Sequence, residues 1–241
     1  CNISRGNFPF DFETVKIKPK IVADYSSDIK VKMEMRPISM KSMNGKTLYD
    51  FGQNLTGIIS LHIKEAKQGD TIIVKHAEVL QKDGDLDLSL LRSAKATLTY
   101  VCKEGEQDYT PEFTYMGFRY ITIEGIDPSK VEVKALHLTS EMDEVSSFHC
   151  SDKMLNQLQS NIVWSGRNNF EDIPTDCPQR DERMGWTGDI SIFAPTALFN
   201  FDCDRFLKKW LVDVKSEQRK GGSIPVTVPI HGYGLPSTMP P

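Results

Sequence analysis

Two hydrophobic periods divide the chain. Val15-Lys16-Ile17-Lys18 and Ile29-Lys30-Val31-Lys32-Met33-Glu34-Met35 alternate apolar with charged side chains, the two-residue period of a half-buried strand. Ile59, Leu61 and Ile63 alternate with Ser60, His62 and Lys64, a turn follows at Gln68-Gly69-Asp70, and residues 72–77 begin another strand. That succession predicts a hairpin-like pair, with His62 and His76 on facing strands. Residues 97–102, 120–123 and 131–138 read as further strands separated by Gly, Pro and Asp. Short strands punctuated in this way predict an antiparallel β-sandwich over residues 28–146.

Near residue 150 the period changes. Ser151 is a candidate N-cap, and Leu155, Leu158, Ile162 and Ser165 follow at helical spacing on either side of Trp164. Residues 190–199 predict a second helix in which Pro195 introduces a kink. Asp202 caps a predicted third helix with Phe206, Trp210, Leu211 and Val214 on one face, stopped by Gly221-Gly222. Residues 223–241 are rich in Pro and Gly and have no period. Three amphipathic helices do not close a helical domain, because their apolar stripes need partners.

Composition narrows the classes. At 39% hydrophobic and 26% charged residues the chain is an ordinary globular sequence. A net charge of −4 argues against nucleic acid or an anionic membrane as the main partner, and no apolar run is long enough for a membrane span. Five cysteines at irregular spacing (Cys1, Cys102, Cys150, Cys177, Cys203) form no disulfide framework and no zinc pattern, and read as free thiols. Gly-rich phosphate loops are absent, so no cofactor and no metal are expected. Cys1 fits a lipidated residue left after signal cleavage as well as an arbitrary chain boundary. The compartment therefore stays open, with a slight leaning to periplasmic or extracellular over cytoplasmic.

The chemistry concentrates in Pro174-Thr175-Asp176-Cys177-Pro178-Gln179-Arg180-Asp181-Glu182-Arg183-Met184-Gly185-Trp186-Thr187-Gly188-Asp189. Four carboxylates, two arginines and a tryptophan lie between turn-forming residues, which is poor core material unless the charges pair. Carboxylates beside an aromatic ring and guanidinium groups are the equipment of acid/base work on a sugar; a solvated loop with surface ion pairs is the plain alternative. Around Glu182, Asp181 and Asp189 oppose ionisation while Arg180 and Arg183 favour it.

The run from Asp176 to Asp189 resembles the signature of the bacterial α-L-rhamnosidase family, whose catalytic domain is a six-hairpin (α/α)6 barrel. Upstream, Tyr49-Asp50-Phe51-Gly52-Gln53-Asn54-Leu55-Thr56-Gly57, His76-Ala77-Glu78-Val79-Leu80, Leu91-Arg92-Ser93-Ala94 and Phe113-Thr114-Tyr115-Met116-Gly117-Phe118-Arg119-Tyr120 resemble the concanavalin-like β-sandwich that precedes that barrel. The resemblance implies the end of a preceding β domain or a linker over 1–27, an antiparallel sandwich over 28–146 and the opening helices of an incomplete barrel over 147–241. It implies inverting hydrolysis of terminal α-L-rhamnosyl bonds, with a rhamnose-containing glycoside or oligosaccharide and the remainder of the parent polypeptide as partners. Glu182 then matches the general acid, and Asp176 and Asp189 match residues that hold sugar hydroxyls. Asp189 is equally well placed to favour a helix N-terminus. Arg180 and Asp181 are further substrate-binding candidates, Arg180 donating to a hydroxyl or locking Asp176, and the two contend for the position beside the acid, because some family versions of the motif are one residue shorter. Trp186 offers either an apolar wall for the C5 methyl of rhamnose or core packing. His76, Glu78 and Arg92 are expected to pack or to form interdomain ion pairs. The general base of the family is a later glutamate with no match here; Glu171 and Asp172 have no feature that promotes them, and the chain alone is expected to be inactive. The competing readings are a six-hairpin glycosidase for another sugar and a non-catalytic carbohydrate-binding or scaffold module.

Overall fold

A computed structural model describes residue 23 and residues 25–230. The strand expected at 15–18 lies outside them. Eight strands form one curled antiparallel sheet: β1 (Ile29–Met35), β2 (Ser39–Met43), β3 (Lys46–Ile63), β4 (Thr71–Ala77), β5 (Thr97–Val101), β6 (Gln107–Tyr109), β7 (Met116–Glu124) and β8 (Val131–Ser140). The main path runs β1-β8-β3-β7-β4-β5, with β2 and β6 also paired to β3.

Strand β3 organises this layer. Its first part, Lys46 to Asp50, pairs with β2 on one side and β7 on the other; its last part, Gly57 to Ile63, pairs with β8. Between Asp50 and Leu55 the register slips, and Gly52 takes a φ of +76° that a side chain would resist. Arg119 on β7 braces the bulge with two bonds to Asp50, Nε to Oδ1 at 2.8 Å and Nη2 to Oδ2 at 2.9 Å. A bend of this kind lets one strand serve two differently oriented parts of a sheet and close a core. Tyr49, Phe51, Leu55, Ile59, Leu61, Ile72, Phe118, Ile121 and Ile123 fill it.

The expected hairpin between residues 59–63 and 72–77 does not form. Strand β7 lies between β3 and β4, so the Gln68-Gly69-Asp70 turn joins strands that are not neighbours. Local alternation identifies a strand but carries no information about its partner. His62 and His76 consequently do not face each other: His62 contacts Asp108 at the surface, while His76 is buried edge-on to Phe118.

Three helices follow: α1 (Lys153–Asn169), α2 (Thr187–Asn200) and α3 (Asp204–Glu217), with the short hairpin β9 (Phe170–Glu171) and β10 (Ile173–Pro174) after α1. The N-cap of α1 is Asp152, not Ser151; its carboxylate accepts from the backbone N–H groups of Met154 and Leu155. Helix α2 begins three residues before the expected start and continues through Pro195. Asp202 does not cap α3; Cys203 occupies that position without a side-chain cap bond. On α3, Phe206 and Trp210 are buried but Leu211 is 62% exposed, so the expected apolar face is only half used.

Two contacts seat the helices on the sheet. Trp164 of α1 packs against the sheet core, with His137 of β8 at its edge. Asn168, near the end of α1, accepts from the Thr56 N–H at 3.0 Å and donates to the Asn54 carbonyl at 3.0 Å, beside the β3 bulge. The helical part has its own small core, in which Phe170 stacks on Phe206 at 4.6 Å and touches Phe193 and Phe201 edgewise or tilted.

Candidate active site

The acidic segment runs from β10 to the start of α2 and lies against the sheet. A Cβ on Gly117 of β7 would come within 2.8 Å of the Gln179 nitrogen and of Pro178 Cγ, so glycine there permits the close approach. Inside the segment, Asp176 Oδ1 accepts from the Met184 N–H at 2.8 Å, and the Asp176 N–H donates to the Met184 carbonyl at 3.2 Å. These bonds close residues 176–184 into a loop, and Arg183 adopts a left-handed φ of +50° within it.

The carboxylate of Glu182 is covered, with its side chain 15% exposed. Arg92 Nη1 lies 2.7 Å from its Oε2, and Arg180 reaches the same oxygen with Nη2 at 2.9 Å and Nε at 3.1 Å. Arg180 Nη2 also stands 3.8 Å from Asp176 Oδ2, so one guanidinium bridges two carboxylates. Arg92 belongs to the connection between β4 and β5, so its contact is an ion pair between the sheet and the loop. Next to it, the Ser93 hydroxyl donates to Asp181 Oδ2, which holds the otherwise exposed Asp181 carboxyl below its ordinary pKa. Arg183 does not pair with Glu182; its guanidinium stacks over Tyr115 at 4.2 Å.

Trp186 and Asp189 stand apart from this cluster. Trp186 is half-buried at the N-cap position of α2, and Asp189 is exposed in the first turn of that helix. Neither takes part in the ion pairs around Glu182 among the described residues. Asp189 suits the positive end of the helix dipole.

Sequence reasoning passed over Glu171 and Tyr115. Glu171 is 4% exposed on β9, and both carboxyl oxygens are buried without a hydrogen-bond partner among the described residues. Burial pushes its pKa up to about 9, against the opposing charge of Arg183, so it is protonated at neutral pH. Tyr115 is pushed up to about 12, chiefly by burial. An ionisable residue in a two-residue strand gives no periodic signal, and only its burial in the folded chain reveals it.

Asp176, Cys177 and Glu182 bring one ligand atom each within 4.8 Å of one another. Burial, with the help of Asp176, pushes the Cys177 thiol up to about 11, so it is neutral and a poor nucleophile. Two guanidinium groups already face Glu182. This set of carboxylates and fixed donors suits the hydroxyl groups of a polyol better than a cation.

Residues 40–142 match the model of the bacterial α-L-rhamnosidase concanavalin-like domain, and residues 143–240 match that of the bacterial α-L-rhamnosidase six-hairpin glycosidase domain. An α-L-rhamnosidase of Formosa agariphila is 43% identical over 221 residues, which are 90% of this chain and 23% of that protein. One from Streptomyces avermitilis is 39% identical over 90% of this chain and 21% of its own length. The crystal structure of a Streptomyces avermitilis α-L-rhamnosidase complexed with L-rhamnose superposes with a TM-score of 0.85 at 39% identity, over 88% of this chain and 21% of that one. The structure of an α-L-rhamnosidase from Dictyoglumus thermophilum gives 0.81 at 38% identity, over 85% of this chain and 24% of that one. The chain thus spans less than a quarter of the length of these relatives.

Proposed function

Because this chain belongs to the bacterial α-L-rhamnosidase family, we propose that it is the section of a glycoside hydrolase that supplies the general acid, and that the whole enzyme removes terminal α-L-rhamnosyl residues from glycosides or polysaccharides. One observation carries the reading: Glu182 is a sheltered carboxyl held by two guanidinium groups on a loop fixed to the sheet, and not a solvated surface acid. A carboxyl that must deliver a proton along a defined line needs this kind of fixed placement.

In the proposed reaction the protonated Glu182 gives its proton to the glycosidic oxygen as the bond from that oxygen to C1 breaks, and the bonding pair stays with the departing oxygen. A water adds to C1 from the opposite face and loses its proton to a base, which inverts the anomeric centre. That base is assigned to a part of the whole enzyme outside this loop. Asp176 and Arg180 are assigned to hydroxyl groups of the sugar, and Asp181, tied to Ser93, to the rigidity of the loop. Trp186 and Asp189, at the head of α2, are assigned to the rim that meets the deoxyhexose.

The test is hydrolysis of methyl α-L-rhamnoside by the complete polypeptide that carries these residues. Glu182→Gln is expected to lower kcat by about 10²- to 10⁴-fold, the usual contribution of a general acid. An unchanged rate removes Glu182 from the role. Binding of rhamnose without cleavage by the unsubstituted protein supports the non-catalytic module instead.

A further inference from the structure

We infer that Arg92, contributed by the sheet, is a positioning residue for the carboxyl of Glu182; this rests on the reading of Glu182 as the acid. Two consecutive residues of the β4–β5 connection, Arg92 and Ser93, grip two consecutive residues of the loop, Glu182 and Asp181. The grip is two-pointed, so it fixes orientation as well as distance. Arg180 cannot substitute for it, because Arg180 sits on the same loop as Glu182 and moves with it. Arg92 is the charged partner of Glu182 that ties it to the other layer.

The connection that carries Arg92 is itself anchored. Leu91 is buried at 3% exposure, and the Ala94 N–H donates to the Leu91 carbonyl at 3.0 Å. At the other end, the Ala96 carbonyl accepts from the His76 N–H at 3.1 Å and lies 2.8 Å from the buried His76 Nδ1. Between these anchors Arg92 takes a left-handed φ of +53°, as does Ala96 at +43°. Non-glycine residues hold that conformation only where the surroundings impose it. The Arg92 side chain is 55% exposed, yet its backbone is fixed from both sides.

Among the described residues, the charged and titratable groups that face the Glu182 carboxyl are Arg92 from the sheet, Arg180 on its own loop, and the Asp176 carboxyl and Cys177 thiol within 4.8 Å. Both arginines converge on Oε2. Oε1 is therefore the oxygen assigned to carry the proton, and the carboxylate formed when that proton leaves is met by guanidinium charge already in place. Such preorganised stabilisation grows as the proton is transferred, which makes it matter most when the leaving group needs the proton most.

The experiment compares the complete polypeptide with its Arg92→Ala and Arg92→Lys variants on methyl and p-nitrophenyl α-L-rhamnosides, with thermal unfolding measured alongside. The methyl glycoside has a poor leaving group and depends on the acid; the nitrophenyl glycoside departs with little help. Arg92→Ala is expected to lower kcat about 10- to 100-fold on the methyl glycoside and less than about 3-fold on the aryl one, with Arg92→Lys between it and the unsubstituted enzyme. Equal losses on both substrates, or no loss on either, overturn the inference and leave Arg92 as a contact between layers. If Arg92→Ala fails to fold, the same split is read from Arg92→Lys. Failure of the unsubstituted protein to cleave either glycoside, or indifference to Glu182→Gln, overturns the underlying reading and this inference with it.

Discussion

The sheet and the helices use their apolar side chains differently. Around β3 the sheet closes a core in which Leu55, Ile63, Ile72, Phe118 and Ile121 are fully buried. The helices close a smaller core around Phe170, Phe206 and Trp210, yet leave Met154, Leu155, Leu158, Ile192, Leu198, Phe199, Leu211 and Val212 largely exposed. A sheet that curls supplies its own second wall, whereas a helix hides one stripe at a time and needs a neighbour for each. The relatives extend far beyond the matched region, and a six-hairpin domain offers helices to cover such stripes. The two layers also divide the work. The helical side carries the proposed acid, and the sheet holds it still.

The sharpest way to break this comparison is to open the sheet core. Phe118→Ala removes a ring with no exposed surface that touches both Phe51 and His76, and should cost about 3–5 kcal/mol in denaturant unfolding. A much smaller loss shows that the sheet is not the stable layer.

Titration should separate the layers by sign. Burial lowers the pKa of His76 to about 4 from an ordinary 6.5, so unfolding takes up a proton between those values. Its neutral burial is therefore fully compatible with the fold above pH 6.5, and stability drains away as pH falls toward 4. Glu171 runs the other way: raised from 4.5 to about 9, it leaves the fold unburdened below pH 4.5 and costs stability as pH rises toward 9. Glu171→Leu should stabilise at pH 8 by on the order of 2 kcal/mol, with the gain fading toward pH 4.5. His76→Gln should gain relative to the unsubstituted chain only on acidification below pH 6.5. Unfolding curves at pH 4.5, 6.5 and 8 decide both, and a gain of Glu171→Leu that is flat across them refutes the assignment.

The smallest effect belongs to the exposed helical stripe. Leu211→Ser in the 241-residue chain should change unfolding free energy by no more than about 0.5 kcal/mol, as surface substitutions do. The same change in the complete polypeptide should cost clearly more if other helices cover that stripe. Equal small costs in both would mean that it faces solvent throughout.

Much of the architecture was legible along the chain because periodicity is a local property. The alternation at Ile29–Met35 marks β1 to the residue, and the spacing of Phe206 and Trp210 marks α3. Long β3 was only partly visible, since Asp50 and Asn54 interrupt its alternation at the bulge that lets it serve both parts of the sheet. The caps of α1 and α3 were each misplaced by one residue, to Asp152 and Cys203, because the local backbone geometry, which composition does not encode, sets where a helix begins.

By itself the sequence determined the two periods, the change between them near residue 150, and the acidic motif that places the chain in its family. Only the tertiary structure decided that β7 separates β3 from β4, that Arg92 and Arg180 converge on one oxygen of Glu182, and that Glu171 lies buried on β9, where desolvation raises its pKa. The physical reason is range. Backbone preference and hydrophobic period act over a few residues and are written in order, whereas strand partners, ion pairs and desolvation join groups such as Arg92 and Glu182, ninety positions apart on the chain, and exist only once both have been brought together.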